Sequence, residues 1–157
     1  LHMALVEERA DMDIHFTPMD RFPDIIPSYH PGNEGYFSLR WKRHAIYKAT
    51  VLIDTDSIPQ ARRNHLIREE ITQSLGLMND SWRYRDSIFY QGFNEVQQYS
   101  DLDKQLIRLL YHPDIKPGMT MDQVRAVYVS QSGQADDASQ TIPQPSTTGG
   151  SFELIIH

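Results

Sequence analysis

Three side chains able to do chemistry sit together between Asn64 and Ser81, in the stretch NHLIREEITQSLGLMNDS. Glu69, Glu70 and Gln73 stand at i, i+1 and i+4, so on a helix all three project from nearly one side. Gly76 supplies a left-handed stop, and Asn79-Asp80 follow at once. Three carboxylates and two amides around a helix end suit three kinds of work. A carboxylate can act as a general base. Oxygen ligands can gather around a hard cation, on Glu69, Glu70, Asn79 and Asp80. Or the same groups can hydrogen-bond into a network that ties helix to loop.

The elements that must position these residues can be read on either side. Met12 to Phe16 alternates like a short strand, and Thr17 to Gly35 is a long connection broken by Pro18, Pro23, Pro27, Pro31, Gly32 and Gly35. Tyr36 to Trp41 and His44 to Asp54 read as strands, the second rich in β-branched and aromatic residues, with a bend at Lys42-Arg43. Asp54, Asp56 and Ser57 are candidate helix caps, and Pro59 suits a first turn. A helix is expected from about Ile58 to Leu75, burying Ile67, Ile71 and Leu75 with Leu66. Leu77 to Tyr99 is irregular and aromatic. Ser100-x-x-Asp103 and Thr120-x-x-Gln123 are capping boxes opening two further helices, to about Tyr111 and Tyr128.

The 157 residues suit one domain, with residues 1–10 a tail whose Leu1-His2-Met3 looks like a cloning remnant. Residues 11–129 form the domain, 130–150 a polar linker, and 151–157 (SFELIIH) a terminal strand that can pair with a sheet edge in this chain or a neighbour. A net charge of −6 without a basic block argues against nucleic acid as a partner. No transmembrane segment is expected. With no cysteine there are neither disulfides nor thiolate metal sites.

EEITQSLGL, NDS, DSIFY and YSDLDKQLIRLLYHPDIKPGM together resemble a bacterial family known only as a domain of unknown function, number 2927. The likeness covers roughly residues 11–129, and that family is similar to metzincin-type zinc peptidases. The helix then corresponds to the peptidase motif H-E-x-x-H-x-x-G-x-x-H. Ser87-Ile88-Phe89-Tyr90 looks like the Met-turn, with Phe89 where methionine belongs. The resemblance implies an α+β, zincin-like fold: a small mixed sheet packed on an active-site-type helix, plus two C-terminal helices. Position by position it sets Glu69, Gln73 and Asn79 where the zinc histidines would stand, and Glu70 where the general base would stand.

Amides are poor zinc ligands, and without a bound cation no water is activated for Glu70. No metal is therefore expected, zinc being the less favoured case, and the domain is expected to be a catalytically degenerate binding or structural module. The alternative is an active hydrolase using Glu70 as base with an atypical metal. His65 could pair with Glu69 as a half-site, but is expected on a partly exposed polar face. A polar network from Glu69 or Glu70 with Gln73 is expected to reach the 79–81 and Ser87–Tyr90 turns, with Arg63, Arg68, Arg83 or Arg85 offsetting the acids. Trp82, Tyr84, Phe89 and Tyr90, with Phe93 beside them, are candidate substrate-binding residues. Strand 44–54 is the expected edge for a peptide or protein partner. A secreted or envelope location follows only by analogy.

Overall fold

The computed structural model describes Met3, Ala4, Val6 and residues 10–135, the last five as backbone alone. It is a mixed α+β arrangement. In chain order it comprises β1 (Met12–Thr17), a 3-10 turn (Met19–Arg21), α1 (Phe22–Ile25), β2 (Gly35–Lys42), β3 (Ala45–Asp54), α2 (Gln60–Ser74), α3 (Asp101–Leu110) and α4 (Met121–Ala135).

The sheet runs β1-β3-β2. β3 pairs in parallel with β1, from Met12 opposite Ala49 to Thr17 opposite Asp54. It pairs antiparallel with β2, from Gly35 opposite Ile53 to Lys42 opposite Ala45. The strand expected at an edge is therefore the central one. The run Val51-Leu52-Ile53 explains why: consecutive apolar residues mark a strand covered on both faces. Val51 and Ile53 pack with Ile58 and Leu66 on the α2 side, joined by Met12, Ile14 and Phe37. Leu52 points the other way, into Phe22, Ile26 and Tyr29. The proline-punctuated connection thus lays α1 over the second face, with Phe22 and Tyr29 in edge contact at 5.1 Å. The β2–β3 hairpin turns at Arg43 and His44, both at positive φ (51° and 64°), one residue beyond the expected bend.

Two buried aspartates tie the joints. Asp54 accepts hydrogen bonds from the amides of Met19 (3.1 Å), Asp56 (3.2 Å) and Ser57 (3.0 Å), and from the Ser57 hydroxyl. It closes the β3–α2 turn rather than capping the helix, which starts at Gln60 with Pro59 before it. Burial opposes charge on Asp54, but these donors outweigh it and hold its pKa below the ordinary aspartate value. Arg63 pins the same turn by donating to the carbonyls of Asp54 (3.1 Å) and Thr55 (2.5 Å).

Asp103 is fully buried. It forms the expected capping box with Ser100. It also accepts from the Ser87 hydroxyl at 2.5 Å and the Ile88 amide at 3.0 Å. One carboxylate therefore fixes both the start of α3 and the 87–89 turn, whose Ile88 and Phe89 are buried.

Two other expectations change. α2 buries His65, Leu66, Glu69, Glu70, Thr72, Gln73 and Ser74, a mostly polar set, whereas Ile67, Ile71 and Leu75 are only half-buried. The sheet takes one side of the helix and the 77–99 segment covers the other, so a stripe of apolar residues is not what selects its buried face. α4 begins at the second capping box but extends to Ala135, into the stretch expected as linker. The rest of that linker and the 151–157 strand lie outside the described residues.

Replacing Asp103 by Ala should destabilise the domain by about 2–4 kcal/mol, since it strands several buried donors at once. Chemical denaturation of the two proteins measures the difference, and an unchanged midpoint would contradict this role for the carboxylate.

Candidate functional site

Arg62, His65, Leu66, Glu69, Glu70 and Gln73 recur on one side of α2 and line a cavity of about 300 Å³. Residues 32–35, at the start of β2, form a second wall. Asp80 and residues 90–93 close the third. The sheet positions the first two walls. The third is held by the Asp103 clamp and by a short parallel bridge in which the Ser81 amide donates to Phe89 O (2.8 Å) and the Gln91 amide to Ser81 O (3.2 Å).

The three positions matched to zinc histidines have separate fates. Gln73 Nε2 donates to Asp80 Oδ1 at 2.5 Å. Glu69 Oε2 lies 3.1 Å from His65 Nε2. Asn79 is exposed and does not line the cavity, its place being taken by Asp80. His65, expected on a partly exposed face, is 1% exposed. Its Nδ1 is 2.9 Å from the Val96 carbonyl, which only accepts, so Nδ1 carries a proton. The Nε2–Glu69 contact then needs one further proton between its two atoms. Burial of His65 follows from the cover that the 94–97 segment gives this part of α2.

Glu70 differs from its neighbours. It is 7% exposed and makes no hydrogen bond or ion pair within the described residues. A Cβ at Gly35 would lie 2.5 Å from its Oε1, so the carboxyl occupies the space beside the Gly35 backbone and a larger residue there would make it shift. Burial, then the charges of Glu69 and Asp80, push its pKa well above the ordinary glutamate value, against a smaller opposing effect of Arg62. Arg62 is turned toward Glu34 Oε2 and Asn94 O, each at 2.8 Å, and stacks on Phe93 at 5.1 Å. Asp80 is pushed up to about 6 by burial and by Glu69, with Gln73 and His65 opposing.

The expected network is thus present in one half. Gln73 reaches the 79–81 turn, whereas the Ser87–Tyr90 turn is held by Asp103. The arginine near the acids is Arg62, which the sequence reading passed over. Arg63 and Arg68 bond backbone carbonyls, and Arg83 and Arg85 stack on Tyr84 and Tyr90. The aromatic candidates divide. Tyr90 lines the cavity with Phe93, Phe89 is buried beneath, and Trp82 and Tyr84 are exposed outside it.

Zinc fits this donor set poorly: one of the three matched positions is elsewhere and one is an amide already engaged. Among the described residues no three His, Cys, Asp or Glu side chains are placed to hold a metal ion. A calcium site on Glu69, Glu70, Asn79 and Asp80 fails for the same absence of Asn79. Nor, among them, is any helix long and apolar enough to cross a membrane. Of the other lining residues, His65 and Asp80 are named from the sequence as possible ligands, whereas Arg62 and the Glu34-Gly35 pair are not. The one local signal was His65 four residues before Glu69; the others meet only in the fold.

Two measurements test this geometry. A carboxyl with a raised folded pKa binds its proton more tightly when folded, so stability falls as pH climbs from the unfolded value through the folded one. Glu70→Gln should remove that loss. Its melting temperature should exceed the parent's by more at about pH 8 than at about pH 5, and a gap independent of pH would refute the assignment. Gln73→Ala should cost about 1–2 kcal/mol by releasing Asp80, with an unchanged melting curve as the contrary result.

No curated protein and no solved structure matches the chain. A family model, described as a protein of unknown function (DUF2927), matches residues 2–129. That span is most of the chain, which therefore belongs to the DUF2927 family.

Proposed function

We propose that this domain is a zincin-like, metzincin-like module that has lost hydrolysis and works by binding. The observation that carries the reading is the fate of the three zinc-histidine positions. Glu69 and Gln73 are engaged by His65 and Asp80, and Asn79 stands outside the cavity. Peptide hydrolysis of that type needs an open metal position and a base that is ionised at working pH. Glu70 stands where the base would, yet burial and the charges of Glu69 and Asp80 raise its pKa, which disfavours the ionised form a base needs.

The features around the cavity support a retained frame. α2 ends at a left-handed glycine, Gly76 with φ 126°. A buried turn, Ser87–Tyr90, follows and is fixed to the next helix. A binding role for an extended peptide passes from β3, which is central, to β2. Among the described residues that strand is an edge of the sheet, and it begins at the cavity wall with Gly35. Strand addition there would carry a peptide past the acidic pocket.

Elemental analysis of protein purified without chelator, together with a peptidase assay on the parent and on Glu70→Gln, tests the reading. The expected outcome is no stoichiometric metal and no cleavage by either protein. Stoichiometric zinc, with cleavage abolished in the variant, would establish the active-hydrolase reading instead.

A further inference from the structure

The pocket contains more acid than its own residues neutralise. Glu69, Glu70 and Asp80 all line it, and the one arginine in its wall, Arg62, is bonded to Glu34. The other lining group that could carry positive charge, His65, faces Glu69. Glu70 is nine-tenths buried and has no hydrogen-bond partner within the described residues. A buried carboxyl in that state costs free energy that a donor from outside would recover.

Resting on the binding-module reading above, the geometry points to this cavity as a receptor for an organic cationic group, a primary ammonium or a guanidinium, donating to Glu70 and Asp80. Size agrees: about 300 Å³ exceeds what a lone metal ion fills and suits the head of a basic side chain. Chemistry agrees as well. An ammonium or guanidinium brings several N–H donors and no acceptor, which complements a wall of carboxylates. Tyr90 and Phe93 supply ring surface for the alkyl stem. A metal ion is the poorer occupant, because among the described residues no three acids or histidines are placed to hold one. The raised pKa of Glu70, caused first by burial and then by Glu69 and Asp80, fits the same picture: a cation beside it would favour its charged form.

The source of the cation is a basic side chain of a peptide or a free polyamine, and the probes separate them. Calorimetry with the full chain compares acetyl-lysine methylamide, acetyl-arginine methylamide, spermidine and the neutral acetyl-norleucine methylamide. Saturable one-site binding of a cationic probe, with none of the norleucine compound, supports the inference; tightest binding of the amino-acid probes indicates a peptide, and of spermidine a polyamine. Glu70→Gln and Asp80→Asn should each weaken binding about tenfold, whereas Glu95→Gln, at an exposed position outside the cavity, should leave it unchanged. Equal binding of norleucine, no cationic binding at about 10 mM, or full binding by both pocket variants would overturn it. The parent protein's probe series decides alone if a variant does not fold. Absence of cation binding in metal-free, peptidase-inactive protein would overturn this inference and leave the loss of hydrolysis standing.

Discussion

The interaction on which the rest depends is the contact of Glu70 with the backbone at Gly35. It holds a carboxyl in a place where nothing in the described protein bonds to it. Such a group can stay buried only if surrounding structure over-determines its position. The sheet packs against α2 on one face and α1 on the other, and residues of the 77–99 segment cover part of α2 from the opposite side. The helix therefore packs Leu66 and Ile67 toward the sheet while its polar residues His65, Glu69, Glu70 and Gln73 are also buried, which a surface helix would not do.

The treatment of buried acids separates scaffold from site. Asp54 and Asp103 sit at joints, and each is surrounded by donors: four hydrogen bonds converge on Asp54, and Asp103 binds a hydroxyl and two amides. Where donors outweigh burial, as at Asp54, the charged form is favoured. At Glu70 burial and like charge act with no donor to answer them, and the neutral form is favoured. Opposite environments on one small domain distinguish the joints, where donors surround the acid, from the cavity, where the Glu70 carboxyl has none.

How much of this could be read from the chain depends on the range of the determining interaction. Capping boxes at Ser100 and Thr120, the glycine stop and the strand segments are local and were legible. Strand order was not: β3 pairs with β1 across a long connection, and the apolar run 51–53, the one clue to its central place, was read as an edge. The buried face of α2 was misjudged because an apolar stripe was sought, while tertiary cover from the 77–99 segment buries its polar side. Glu69, Glu70 and Gln73 were legible as a group through helical spacing. Asp80 in place of Asn79, Arg62 rather than Arg63, and burial of His65 are set by loop paths that local pattern does not encode.

Direct titration of the Glu70 side chain, by carbon-13 chemical shift of its carboxyl in selectively labelled protein, addresses the central claim most closely. The account predicts a midpoint well above the ordinary glutamate value, with the Asp80 carboxyl titrating near 6. A Glu70 midpoint at or below the value of an exposed glutamate would show that the carboxyl has a partner or open water, and would contradict it.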